Sequence, residues 1–378
     1  HALAEQFVLL DNFYCNGVLS ADGHSWVTEG NVTDHLEKSF GGFTRSYTFG
    51  DDPLTYSSSG FLWDNVLLHG LSFRYFGEMD YAEPTAKNAT WSEIYRDFTS
   101  GARRLRFTQS IGVENLRRYS SRAFPGWNMR IPDVLRADAF LRELRSADRG
   151  RSGTGGEGWP NLTLIYLPND HTSGTSPGAP TPRAQVADND LALGRVVEAI
   201  SKSRFWPKSC IFVIEDDPQD GFDHVDGHRS ICLVVSPYAR RSALVSRFYN
   251  QTSVIHTIER ILGLPPMNQM DAMAPLMADC FTERPDLRPY TCLPNQIPLD
   301  EMNPPLSRLS GRARYWARKS QALPLDRVDA SDEDTLNRIL WHAAKGVDAP
   351  YPAHLAGAHG RGLKRLNLVL SGRGHDDD

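Results

Sequence analysis

The sequence predicts an α/β fold, a mainly parallel sheet sandwiched by helices, and three observations carry that expectation. Short apolar runs recur: Phe7-Val8-Leu9-Leu10, Leu162-Thr163-Leu164-Ile165-Tyr166-Leu167 and Cys210-Ile211-Phe212-Val213-Ile214. Such runs, bounded by turn formers, read as strands buried on both faces. Each run stops at polar residues: Asp11 and then Ser20-Ala21-Asp22-Gly23-His24-Ser25, Pro168-Asn169-Asp170-His171, and Glu215-Asp216-Asp217. In open α/β sheets ligands bind outside the carboxyl ends of strands. Stretches of helical spacing separate the runs.

Taken in order, the Phe7 strand is followed by a loop over Ser20–Gly30 and a helix from about Trp26 to Lys38. Gly41 to Gly60, rich in Gly, Ser, Thr and Tyr, reads as a surface loop. Phe61 to His69 has helical spacing and meets Gly70, a fitting C-cap. Leu71 to Phe76 alternates like a strand and completes one β-α-β step. Residues 84–160 read as an irregular, helical insertion closed by the low-complexity segment 148–158. Asp188 or Asn189 caps a helix with Leu191, Leu193, Val196, Val197 and Ile200 on one face, returning by a right-handed crossover to the Cys210 strand. Ile231 to Val235 is a further strand, and Ser253 to Leu262 a helix. The spacing divides the chain into an α/β domain, 1–278, with loop insertions at 41–60 and 84–160. A proline-rich extension, 279–378, carries helices at about Leu306–Lys319 and Asp332–Ala344, and its tail from Ala356 is expected to be partly disordered.

At 378 residues, 40% hydrophobic and 23% charged, the chain can bury a large core. A net charge of −5 supplies no global field for nucleic acid or an anionic membrane. No apolar run approaches the roughly 20 residues that span a bilayer, so no transmembrane segment is expected. No signal peptide is visible, and the start at His1 suggests a segment upstream. Of five cysteines, Cys210 and Cys232 read as buried thiols, while Cys280 and Cys292 bracket a short loop and are candidates for a disulfide.

The chemistry gathers at the strand ends. Adjacent carboxylates, Asp216 and Asp217, repel unless a cation separates their charge, and His224 and His228 follow closely. Asp170-His171 offers a carboxylate and an imidazole suited to Zn²⁺, Mn²⁺ or Fe. A solvated acidic loop and a turn-capping Asp170 are the plain alternatives. His228 can reach the same mouth, and His224 is either a ligand or a donor that orients a ligating carboxylate. Ser20 is the candidate nucleophile, although by itself Ser-x-x-Gly-His is a weak motif and reads better as an ordinary turn serine. A loop leading into a helix there would point backbone N–H groups at an anionic substrate.

In this order, these residues resemble the phosphoesterase family of bacterial phospholipases C and acid phosphatases, within the alkaline phosphatase superfamily. Leu167-Pro168-Asn169-Asp170-His171-Thr172 is similar to that family's Leu-Pro-Asn-Asp-His-Thr segment. Glu215-Asp216-Asp217 with Gly221-Phe222-Asp223-His224-Val225 resembles its Asp-Glu-His…Gly-Phe-Tyr-Asp-His-Val block. Asp11-Asn12-Phe13-Tyr14 through His24 is similar to its nucleophile segment, with Ser20 at the nucleophile position. The resemblance runs from about residue 3 to residue 265 and is closer still to a subgroup in which a β-propeller precedes this domain. Three departures stand out: no Glu-Asn-Arg-x-Tyr/Phe-Asp motif before Ser20, Pro218-Gln219-Asp220 in place of His-Gly-Gly, and Ser in place of the commoner Thr.

The resemblance implies a hydrolase for small phosphate mono- or diesters, acting through a phosphoseryl enzyme. Its divalent metal or metals (Zn, Mn, Ca and Fe are not distinguished) would lie on Asp170, His171, Asp216, Asp217, His224 and His228. It also implies a periplasmic or extracellular setting and an upstream β-propeller. A catalytically impaired binding domain, or another hydrolase of the superfamily, is the alternative. Against a sulfatase, the Ser20 loop has no Cys-x-Pro-x-Arg.

Overall fold

The computed structural model describes residues 1–39, 53–150, 158–218, 226–325 and 331–356. Most of the expected 41–60 loop, part of the 148–158 segment, and the tail beyond 356 lie outside the described residues.

A short helix α1 (Ala2–Gln6) leads into β1 (Val8–Tyr14). The next helix, α2 (Ser20–Glu29), begins at Ser20 itself, earlier than the hydrophobic spacing predicts. The Asp22 carboxylate explains the early start. It accepts the backbone N–H of Val18 at 3.3 Å and of Leu19 at 3.2 Å, groups a helix start leaves unpaired. Gly30, at φ 63°, ends α2, so the predicted single helix to Lys38 is broken and α3 (Asp34–Ser39) stands apart. Helix α4 (Leu62–Leu68) and β2 (Phe73–Phe76) follow as expected.

The 84–160 insertion is more regular than its composition suggests. It is entered by β3 (Asp80–Pro84), which pairs antiparallel with β4 (Phe107–Ile111) across α5 (Trp91–Thr99). Helix α6 (Asp133–Asp148) follows, and then β5 (Leu162–Ile165).

Helix α7 (Pro182–Ser201) starts at a Thr181 cap, not at Asp188. Asp188 is fully buried inside α7 and caps a different helix. Its carboxylate accepts from Asp133 N at 2.6 Å and Val134 N at 3.1 Å, in the first turn of α6, whose own cap position is Pro132.

The remaining elements are β6 (Ile211–Ile214), β7 (Arg229–Val235), β8 (Ala243–Val245), β9 (Tyr249–Asn250), α8 (Gln251–Leu262), α9 (Gln269–Met273), α10 (Gly311–Ala322) and α11 (Glu333–Lys345).

The α/β class stands, with sheets layered between helices, but the pairing is mixed rather than mainly parallel. A five-stranded sheet runs β6-β7-β1-β8, with β9 also on β1. The β6–β7 and β7–β1 pairs are antiparallel, and only the short β8 and β9 run parallel to β1. Strands β6 and β7 are consecutive in the chain and lie side by side, an arrangement that favours an antiparallel pair. The expected β-α-β step also fails, because β2 pairs in parallel with β5 and not with β1.

Alternation along the strands sorts the core. Val8, Leu10, Cys232 and Val234 pack toward Val254 of α8, while Leu233 and Val235 pack with Leu3 of α1 and Val197 of α7. All five cysteines are free, and the candidate Cys280–Cys292 disulfide is not formed. Cys280 packs beside Cys232, whereas Cys292 sits against Gly194 of α7.

Helix α8 also carries Glu259, fully buried, which accepts from Asn65 Nδ2 at 3.1 Å. Burial, and then the Asp271 carboxylate beside it, raise the Glu259 carboxyl from its ordinary 4.5 to about 8. Between those values the folded protein keeps a proton that the unfolded chain has released. Stability therefore falls as pH rises through that window and levels off above it. The melting temperature should drop from about pH 5 to about pH 8, and Glu259→Gln should flatten that slope. An unchanged slope in the variant would remove Glu259 as its source.

The extension after residue 279 rests on the loop that follows β5. Asn303 Nδ2 donates to the carbonyls of Gly174 (3.0 Å), Ser176 (3.1 Å) and Pro180 (3.0 Å). Ser320 of α10 donates to Ser173 O at 3.4 Å.

Candidate active site

Ser20 is the first residue of α2, nearly buried, and its hydroxyl donates to Asp217 Oδ2 at 2.7 Å. Two segments meet here: the β1–α2 connection and the turn that leaves β6. Gly23 makes the approach possible, since a Cβ there would overlap the carbonyl oxygen of Asp216. One turn on from Ser20, the His24 side chain is buried between two carboxylates. Its Nδ1 lies 2.5 Å from Glu78 Oε1 and its Nε2 3.1 Å from Asp216 Oδ2. The neighbouring Glu215 accepts from the Ser230 hydroxyl, while burial and then the Asp216 charge raise its carboxyl above the usual range.

Asp170 and His171 lie on a 3₁₀ turn, Asn169–His171, beyond the end of β5. A buried network holds that turn from behind. Asn169 N donates to Asp133 Oδ2 at 2.9 Å and Asn169 Nδ2 to Asp188 Oδ2 at 2.7 Å, while Arg136 pairs with Asp133 at 2.8 Å. Burial raises both Asp133 and Asp188, and the Arg136 guanidinium pulls Asp133 back. Thr172 follows at φ 61°, ψ 165°, a region that is otherwise close to a glycine preserve. Its carbonyl accepts from His171 Nδ1 at 3.2 Å, which places the proton on that nitrogen.

An aromatic row joins the two groups. Tyr166 meets His24 edge-on at 5.6 Å, Trp127 stacks on Tyr166 at 6.4 Å, and His171 meets Trp127 edge-on at 4.9 Å. Asp170 reaches solvent, yet enclosure by the surrounding protein, and then the charges of Glu215, Asp133 and Asp216, raise its carboxyl to about 8. Negative charge thus accumulates across the ends of β5 and β6.

Of the residues expected from sequence, Ser20, Asp216 and Asp217 come together directly, and Asp170 and His171 stand across the aromatic row. His228 is half-exposed and pairs with Asp226 at 3.0 Å. His224 lies outside the described residues. Among the described residues, no three His, Cys, Asp or Glu side chains gather closely enough to hold a metal ion. The expectation that the α2 N-terminus offers its N–H groups to an anion is met only in part, because Asp22 already takes those of Val18 and Leu19. His24, Glu78, Tyr166 and Trp127 were not anticipated. A helix begun at Ser20 would have put His24 on the same face at the i, i+4 spacing, whereas Glu78 carries no local signal.

Residues 179–265 match the Phosphoesterase family. A solved structure described as a protein in the alkaline phosphatase superfamily from Vibrio parahaemolyticus is similar at 16% identity and a TM-score of 0.40. That similarity covers 72% of this chain and 63% of the other, so the chain spans less than two thirds of its length. No match was found among curated proteins. The matched segment contains Asp216, Asp217 and His228. No described helix is long and apolar enough to cross a membrane.

Proposed function

We propose that this chain is a metal-dependent phosphoesterase that hydrolyses small phosphate mono- or diesters through Ser20. The observation that carries the reading is the 2.7 Å bond from Ser20 Oγ to Asp217 Oδ2 at the carboxyl end of β6. A serine hydroxyl is a weak nucleophile until a neighbour activates it, and Asp217 orients this one and accepts its proton. Ser20 Oγ would bond to phosphorus as the ester oxygen leaves with its alcohol, and water would then free the serine, releasing phosphate from a monoester substrate and a phosphomonoester from a diester. His24, held by Glu78, fixes the rotamer of Asp216.

The donor set fits a hard divalent cation. Enclosure, and then the carboxylates of Glu215, Asp133 and Asp216, raise Asp170 to about 8, and a bound cation would favour its ionised form. Asp216 and Asp217 would hold one ion, and Asp170 and His171, with His228 or His224, would complete or extend the shell. When bound, such an ion supplies charge stabilisation and lowers the pKa of the attacking oxygen. The periplasmic or extracellular setting and the upstream β-propeller rest on the sequence resemblance and belong to the same proposal.

One observation favours the alternative, a binding domain with impaired catalysis: the described residues alone do not close a metal shell. Asp217→Asn separates the two. Metal affinity should fall about 10–100-fold, and excess Mn²⁺ or Zn²⁺ should partly restore turnover of p-nitrophenyl phosphate. Absence of both metal uptake by elemental analysis and turnover in the unmodified protein would favour the binding domain.

A further inference from the structure

The Asp216–Asp217 peptide carries both side chains that engage α2, so its orientation decides whether Ser20 meets Asp217 and His24 meets Asp216 at the same time. That peptide is held from two sides. On one, Gly23 of α2 lies so close that only a missing Cβ leaves room for the Asp216 carbonyl oxygen. On the other stands Gln251, the first residue of α8, with no exposed surface.

The Gln251 amide is used at both ends. Its Nε2 donates to Asp216 O at 2.5 Å and to Glu215 O at 3.0 Å. Its Oε1 accepts from Asn16 N at 2.7 Å, in the connection that leads from β1 to Ser20. One side chain therefore ties the nucleophile's segment to the carboxylates' segment, although neither belongs to α8. Asn250 caps α8 independently, its side chain accepting from Ser253 N at 3.0 Å, so the helix start does not need the Gln251 amide. The arrangement is more specific than burial requires, because an apolar residue of the same length would cover the same space.

We infer that Gln251 is a positioning residue for the reaction proposed above: it sets the reach between Ser20 Oγ and the Asp217 carboxylate by clamping the Asp216–Asp217 peptide against Gly23. The inference rests on that reading of Ser20 and Asp217.

The test uses the full chain with Gln251→Met, which keeps length and loses all three bonds, and Gln251→Glu, which keeps the acceptor for Asn16. With Mn²⁺ and p-nitrophenyl phosphate, Gln251→Met should lower kcat about a hundredfold while KM stays within about threefold, in protein still folded at the assay temperature. Gln251→Glu should fall between it and the wild type. A lower melting temperature with kcat unchanged would make Gln251 a merely structural residue and overturn the inference. Should the unmodified protein show no turnover, the phosphoesterase reading fails separately. The clamp is then decided by the ¹³C resonance of the Asp217 carboxyl, assigned by its loss in Asp217→Asn. A shift of that resonance in Gln251→Met supports the clamp, and an unmoved resonance overturns it.

Discussion

Ser20→Ala should lower kcat about a thousandfold or more on both a phosphomonoester and a phosphodiester, with the fold intact. The hydroxyl at the start of α2 lies against Asp217, and alanine removes the oxygen that would form the covalent intermediate. The cost in stability is small, about 1 kcal/mol or less, because Asp217 is only partly buried and water can replace the lost donor. Mn²⁺ binding should survive, which distinguishes this variant from Asp217→Asn. Near-wild-type hydrolysis of both substrates by Ser20→Ala would end the covalent mechanism and leave direct attack by water as the better account.

The largest loss of stability is expected at Arg136. Its guanidinium is wholly buried and donates to the carbonyls of Pro125 (3.0 Å), Gly126 (2.6 Å), Asn128 (3.1 Å) and Ile131 (2.6 Å), besides pairing with Asp133. Arg136→Met fills similar space but strands those carbonyls and leaves Asp133 and Asp188 facing each other without a cation. Removing one partner of a buried pair typically costs about 3–5 kcal/mol, read as a shift of the urea midpoint. Asp133→Asn added to Arg136→Met should recover part of that loss, since the uncompensated charge goes with it. Asp133 also receives Asn169 N, so the Asp170 turn should loosen along with the fold. A loss below about 1 kcal/mol would show that the guanidinium is not the keystone of this network.

The strands at the centre of the molecule were legible because they are apolar on both faces. Val8 to Leu10, Ile211 to Ile214 and Ile231 to Val235 stand where the runs predict. Their directions were not legible, since direction depends on whether residues 215–228 cross over or turn back, and that segment carries no periodic signal. Asp216 and Asp217 could be singled out because paired carboxylates at a strand end demand a partner, and the structure brings Ser20 to one of them. The start of α2 was hidden for a simpler reason. Ser20-Ala21-Asp22-Gly23 has the composition of a turn, and an acidic residue in the first turn is a weak sign of a helix beside it. That composition also concealed His24. Contacts such as Glu78–His24 and Gln251–Asp216 join residues far apart in the chain, and no window of sequence contains both ends. Asp188 shows the same limit from the other side: its capping chemistry is legible in the sequence, but the helix it caps is α6 and not its own.

That displaced cap bears on how the molecule comes together in time. Helix α6 has Pro132 at its start and no side chain of its own to close the first turn, so on leaving the ribosome it carries an unfinished end. The group that finishes it is made only when Asp188 emerges, after β5 has been synthesised, and it acts only once α6 and α7 lie together. Most of a helix's stability in a protein comes from the packing of its apolar face. The two should therefore gain structure in one concerted step, and the turn bearing Asp170 and His171, wedged between them by Asn169, should order at that same moment and not before.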